Sequence, residues 1–347
     1  MKAIRIFLVM LFAFIPFQSA FAAEGKTLDA YLPVDLDSEH WAYDAIDDLI
    51  NADIIEGSMD SENNMYVKPS ANITRAEFVK IIVSGLGLKH EGAGTEFPDV
   101  KSNKWYYSYV KTASSLGIIS GNPDGTFGPD KKITRAEMTK VIVLAFQESV
   151  DFSAKGLSFS DVSKSSWAYE FINKAAAAEI VNGYGEVFKP GKTATRAEAI
   201  VMIHRALHKE QSDLPKEADI ISFLEGHIKA ENDLVEADSY EELAALYEKN
   251  AMGYYKAEGL EFGLPEFFED GTEFNAEIND ENLELTILEA SNRFVTVEMT
   301  GLMIKMDFKD STGSMNMETS LEGEYNLRLD PVSGSWKIYS FYPYFEE

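Results

Sequence analysis

The chain has 347 residues, no cysteine and a formal net charge of −27. The lack of cysteine excludes a disulfide framework and thiolate chemistry. No basic stripe with interleaved aromatics is present, which argues against nucleic acid as a partner. The charge is uneven: residues 34–88 hold three Lys/Arg against eleven Asp/Glu (−8) and residues 215–347 nine against thirty (−21), while 97–146 hold seven against four (+3) and 159–207 six against five (+1).

Residues 1–22 read as a secretory signal peptide, with Lys2 and Arg5 before an apolar Ile6–Phe17 stretch and an Ala20-Phe21-Ala22 cleavage pattern. No later run is long enough to span a membrane. The sequence therefore predicts an exported protein with no membrane span once processed.

Three related segments follow, over 33–88, 97–146 and 159–208. Each opens on an Asp (Asp35, Asp99, Asp161), with a Trp six residues later (Trp41, Trp105, Trp167). Apolar or small residues recur behind each Trp at helical spacing, as in Ala45, Leu49 and Ala52, and predict a first helix. That helix ends in an Ile/Val pair and a glycine: Gly57, Gly121 and Gly183. A turn comes next, clearest as Asn122-Pro123-Asp124-Gly125. Then Thr-Arg-Ala-Glu starts a second helix at Thr74, Thr134 and Thr195, spaced by 60 and 61 residues. Thr at N-cap and Glu at N3 form the two halves of a capping box. Arg75, Arg135 and Arg196 have no such explanation. At N1 they face the positive end of the helix dipole, which costs about 0.3–1 kcal/mol. Either an ion pair with a neighbouring Asp or an anionic ligand would account for them.

Taken together, Phe97-Pro98-Asp99-Val100, Trp105, Gly121, Asp124-Gly125-Thr126-Phe127 and Thr134-Arg135-Ala136-Glu137 give a pattern that resembles the S-layer homology repeat. The resemblance covers about residues 33–208. It implies an all-α, three-fold pseudo-symmetric repeat domain and non-covalent attachment of an exported protein to a Gram-positive cell wall. The implied ligand is a secondary cell wall polysaccharide, often carrying ketal-linked pyruvate, bound in grooves between adjacent repeats. Carried over, the groove residues are Asp35, Trp41, Gly57 and Arg75; Asp99, Trp105, Gly121 and Arg135; and Asp161, Trp167, Gly183 and Arg196. Guanidinium would grip a carboxylate, Trp would face a sugar ring, Gly would admit the ligand to backbone amides, and Asp would accept from hydroxyls. The same residues also have plain folding readings: a core Trp, a capping Asp, and a Gly that solves a backbone angle. The first repeat departs from the pattern, with Pro33 where the others have Phe, Asp53 in place of Gly117, a longer loop and its acidic charge. The expectation is that binding leans on Arg135 and Arg196, and that Arg75 keeps only a structural part.

Residues 209–216 read as a polar linker, and 217–347 as an α+β domain with an antiparallel sheet. Helices are predicted over 217–232 and from Ser239, the latter with a Ser239–Glu242 capping box. Strands are predicted over 283–289, 294–308, 315–329 and 335–342, with a turn at 310–314, while 253–281 shows no clear period. Tyr325 to Arg328 and Trp336 to Tyr339 give a weak resemblance to the cystatin-like, nuclear-transport-factor-2-like cone fold, which implies room for an apolar pocket. His204 and His208 are four residues apart on one helix, but no carboxylate follows at a metal spacing, so they are read as solvent-facing. The sequence thus predicts no catalytic residue, metal or cofactor. It predicts a non-enzymatic wall-anchored protein that displays its C-terminal module, with a surface-protein partner possible for that module. The alternative is a wall-anchored enzyme or small-ligand carrier.

Overall fold

The computed structural model describes residues 26–344, except 91, 155–157, 238, 263–272 and 310–312. The signal segment, most of the 310–314 turn and part of the aromatic 253–281 stretch lie outside the described residues.

After a short 3₁₀ turn (Leu28–Tyr31), three helix pairs follow. They are α1 (Tyr43–Asn51) with α2 (Arg75–Gly85), α3 (Tyr107–Ser115) with α4 (Arg135–Phe146), and α5 (Tyr169–Ala177) with α6 (Arg196–His208). All three predicted capping boxes form: each Thr side chain accepts from the Glu amide, and each Glu carboxylate accepts from the Thr amide. A helix start leaves the residue before its cap with backbone groups that the helix cannot satisfy. Here those residues satisfy one another. Ile73 N–H donates to Ala194 O (3.1 Å), Ala194 N–H to Ile133 O (2.9 Å), and Ile133 N–H to Ile73 O (3.1 Å). This closed ring, its three residues fully buried, marks the pseudo-three-fold axis. Around it the second helix of each repeat packs on the first helix of the next: α2 on α3, α4 on α5, and α6 back on α1.

The departures of repeat 1 are absorbed locally. Its longer loop makes a small hairpin, β1 (Ser58–Met59) with β2 (Met65–Tyr66). Asp53 and Glu179 adopt the same left-handed backbone as Gly117 (φ 56°, 57° and 71°), so this position needs positive φ in every repeat, whatever its side chain.

The C-terminal domain has α7 (Glu217–Glu236), α8 (Tyr240–Asn250) and α9 (Gly253–Phe262). A five-stranded antiparallel sheet follows: β3 (Glu273–Asn279), β4 (Glu284–Ala290), β5 (Phe294–Lys309), β6 (Ser314–Leu329) and β7 (Trp336–Pro343). The four expected strands are present within a residue or two of their predicted ends. Strand β3 was not legible, because Glu273–Asn279 lacks an apolar run. It pairs with the far half of β5, whose near half takes β4. Between the two halves β5 bends at Gly301 (φ 78°), where a Cβ would lie 2.0 Å from Asn282 O. The Ser239 capping box does not form; the Ser239 hydroxyl turns back to Ala237 O instead.

Residues 209–216 do not behave as a free tether. Glu210 is buried and ion-paired with Arg293, Gln211 N–H donates to Ser149 O (2.8 Å), and Asp213 N–H donates to Asn292 Oδ1 (2.9 Å). Phe294, Tyr339 and Ala257 from the second domain belong to the same apolar core as the repeats. Arg328, buried on β6, donates to Ala52 O at the end of α1 and to Ser84 O at the end of α2 (3.1 Å). A cation there meets the negative ends of two helices. The C-terminal domain is therefore docked on repeat 1, not strung out on a linker.

Two outcomes are expected. Arg328→Ala should destabilise the full chain by about 3 kcal/mol, since charged hydrogen bonds to helix-end carbonyls are lost in a buried place, as read by urea unfolding. Glu77, Glu137 and Glu198 all sit below the usual carboxylate range. Burial pushes them up, but the Thr amides and neighbouring cations, with Tyr184 as well for Glu198, outweigh it. A depressed folded pKa gives stability that is present above the unfolded value, about 4.3, and lost as pH falls through the folded one. The melting temperature should therefore hold from pH 7 to pH 5 and fall below about pH 4. That fall should be shallower in a Glu77→Gln, Glu137→Gln, Glu198→Gln triple variant.

Candidate functional site

Each motif arginine reaches into the following repeat. Arg75 Nε donates to Phe127 O (2.9 Å), Arg135 Nε to Phe188 O (2.9 Å) and Arg196 Nε to Val67 O (2.8 Å). The same three peptides are held from their amide side by the opening Asp of their own repeat. Asp99 accepts from Phe127 and Gly128 N–H (2.9 and 2.7 Å), Asp161 from Phe188 and Lys189 N–H (2.7 Å each), and Asp35 from Val67 and Lys68 N–H (2.8 Å each). Asp and Arg thus grip one loop from opposite sides. This gives the three Asp residues a folding role that needs no sugar. For Asp161 burial pushes the carboxyl up, but these amides hold it below its ordinary value.

Two of the arginines do pair with a carboxylate, though not the opening Asp. The partner is the capping-box Glu of the next repeat: Arg75 Nη1 to Glu137 (3.4 Å) and Arg135 Nη1 to Glu198 (3.3 Å). The glycines answer to packing. A Cβ on Gly121 would lie 2.7 Å from the Phe97 ring, one on Gly183 2.3 Å from the Phe159 ring, and one on Gly57 2.4 Å from Met65 Sδ. The tryptophans go the other way. Trp41, Trp105 and Trp167 are 64%, 54% and 58% exposed, so the core reading fails for all three.

A cleft of about 330 Å³ is lined by Arg75, Ile119, Gly121, Glu137, Lys140 and Trp167. It takes residues from all three repeats, not from an adjacent pair: Arg75 from the first, the loop and α4 from the second, and Trp167 from the third. The motif residues of one repeat are therefore dealt out to different grooves. By the same packing, Arg135 belongs with Gly183 and Arg196 with Gly57.

The three grooves differ in what covers the guanidinium. Arg135 is the most closed. Its Nε, Nη1 and Nη2 bond Phe188 O, Glu198 and Asn182 O, and the Tyr184 ring lies 4.9 Å away across it. Arg196 donates Nη2 to Glu56 O (3.4 Å), and the Glu56 carboxylate takes Lys80 (2.8 Å). In the Arg75 groove the residue at the Glu56 position is Ser120. Among the described residues nothing accepts from Arg75 Nη2, and no carboxylate pairs with Lys140, whose Nζ sits 6.0 Å from the Trp167 ring centre. Arg75, expected to be structural only, thus keeps one terminal nitrogen without an acceptor among the described residues, as Arg196 does at Nη1, while Arg135 keeps none; the Arg75 side chain is 10% exposed. Lys140 was missed on the sequence, although its place six residues after the capping Thr, shared by Lys80 and replaced by Val201, was visible there.

In the C-terminal domain, Glu231 accepts from Tyr247 Oη (2.6 Å) and Tyr255 Oη (3.1 Å), and His227 Nε2 lies 3.3 Å from Tyr255 Oη. These groups satisfy one another, and the rings pack edge to face with Tyr325 as core.

Comparison with known proteins matches the S-layer homology domain to residues 35–79, 96–139 and 158–200. Exoglucanase XynX of Acetivibrio thermocellus is 37% identical over 180 residues, half of this chain and 16% of that protein. The cellulosome-anchoring protein of the same organism is 35% identical over 150 residues, 41% of this chain and 33% of its own length. S-layer protein sap of Bacillus anthracis is 30% identical over 189 residues, 53% of this chain and 22% of its own. The chain thus spans a third or less of each, and the match to the exoglucanase falls on its S-layer homology region. Among solved structures, the intermembrane space region of the chloroplast protein ARC6 aligns over 37% of this chain and 96% of its own, at 11% identity and a TM-score of 0.26, too slight a likeness to bear on the fold.

Asp99→Ala should cost about 2–3 kcal/mol of stability through two lost charged hydrogen bonds, as measured by chemical unfolding.

Proposed function

Because the chain carries three S-layer homology domains, we propose that it is an exported surface protein held non-covalently to the cell wall through a secondary cell wall polysaccharide. The observation that carries the reading is the cleft between Arg75, Lys140 and Trp167. A guanidinium nitrogen without an acceptor and an unpaired ammonium beside an exposed indole suit a sugar bearing a carboxylate, as a ketal-linked pyruvate would supply. The anion meets the cations while the pyranose face lies on the ring. Repeat 2 supplies the cleft's floor and is the least acidic part of the chain, so the field there opposes an anion least. The names of the cellulosome-anchoring and S-layer relatives support attachment at a surface. The C-terminal domain is read as the non-catalytic module so attached, held in a fixed position by its contacts with repeat 1 and facing other surface proteins.

Retention on purified native walls tests this. Arg75→Ala, Lys140→Ala and Trp167→Ala should each weaken retention about tenfold or more, the worth of one charge-assisted or stacking contact. Arg135→Ala should lower the melting temperature more than the retention of folded protein. Parent-like retention by Arg75→Ala would sink the site assignment. Unchanged retention on walls stripped of pyruvate would sink the anionic mechanism.

A further inference from the structure

The ring of repeats closes where α6 returns to α1, and that seam differs from the other two. His204 and His208 lie four residues apart on α6, and Asp48 faces them from α1. The corresponding positions are Val83, Gly87 and Thr112 at the α2–α3 seam and Val143, Gln147 and Lys174 at the α4–α5 seam, so the cluster is not part of the repeat pattern. Neither histidine is solvent-facing as the sequence suggested: the side chains are 25% and 17% exposed, and Asp48 is 16% exposed. Both rings aim Nε2 at one oxygen. His204 Nε2 is 3.1 Å and His208 Nε2 3.3 Å from Asp48 Oδ2, and the three donor atoms all lie within 4.8 Å of one another.

Three donors each about 2.0–2.1 Å from a tetrahedral zinc-like ion are about 3.3 Å apart, and two of the separations here already have that value. The outer contacts are those of a ligand set held in place. Tyr339 Oη donates to the other Asp48 oxygen (2.6 Å), leaving Oδ2 for the cluster, and the Phe294 ring stacks on His208 at 4.9 Å and 22°. Both residues come from the C-terminal sheet.

We propose that Asp48, His204 and His208 bind one divalent transition-metal ion of the zinc class, with water at the fourth position. Two neutral imidazoles and a carboxylate are the donor set such an ion prefers over calcium or magnesium. The ion would join repeat 1 to repeat 3, and through Tyr339 it would fix the C-terminal domain on that seam. Its place is remote from the Arg75 cleft in sequence and in lining residues, so it does not depend on the wall-binding reading.

The untagged full exported chain, stripped with a chelator, should be titrated with Co²⁺. Expected are tetrahedral visible absorption bands saturating at one equivalent, loss of those bands on adding one equivalent of Zn²⁺, and a melting temperature that rises with Zn²⁺. His204→Ala and His208→Ala should abolish the bands. Tyr339→Phe, which leaves all three ligands, should weaken binding about 10–100-fold. Absence of saturable Co²⁺ bands in the parent protein overturns the proposal, a result that requires no variant to fold. Bands that persist in a folded His204→Ala, His208→Ala double variant would also overturn it.

Discussion

Three backbone hydrogen bonds around the axis, among Ile73, Ile133 and Ala194, are what the rest of the repeat domain depends on. Each joins the residue just before a capping Thr to its counterpart in another repeat. The capping box fixes how the chain enters the helix, and that entry leaves one N–H and one C=O pointing inward with no partner in their own unit. Buried polar groups of this kind must be paired. Three repeats pair them in a closed circuit, so the assembly has no open end and does not grow as a solenoid does. The Asp and Arg contacts on the loop peptides repeat this logic further out.

Closure also explains why three copies of one motif make three different grooves. Every arginine spends its Nε on the next repeat, and its remaining edge meets whatever that repeat supplies. For Arg196 that includes the carbonyl of Glu56, for Arg135 it is Asn182, Tyr184 and Glu198, and for Arg75 it is Ser120 and a Glu137 shared with Lys131. The Tyr184 ring closes the Arg135 groove, whereas Arg196 is only half-buried and the Ser120 side of the Arg75 groove offers Nη2 no acceptor. The acidity of repeat 1 therefore bears on the groove of Arg196, where Glu56 sits, and not on that of Arg75.

The seam between repeats 3 and 1 is where symmetry gives way to the second domain. Arg328 caps two helix ends there, Tyr339 and Phe294 enter the common core, and Glu210 is buried against Arg293. A repeat domain built this way holds its C-terminal module in one orientation. The exposed Trp167 and the docked sheet are parts of one continuous packed structure.

Much was legible in the sequence alone. The three helix pairs, the capping boxes, the glycine positions and four strands follow from spacing and local chemistry, because each depends on residues within a turn or two of one another. Even the exposure of the tryptophans was open only between two stated readings. The tertiary structure decided how each arginine is partnered, that Trp167 stands beside Arg75, that Glu and not Asp is the ionic partner of Arg75 and Arg135, and that the linker and the second domain are fastened down. It also brought Asp48 to His204 and His208 across 156 residues. These depend on what the neighbouring repeat presents after the ring closes. Periodicity shows that units repeat, but only their packing sets which side chains meet across a boundary.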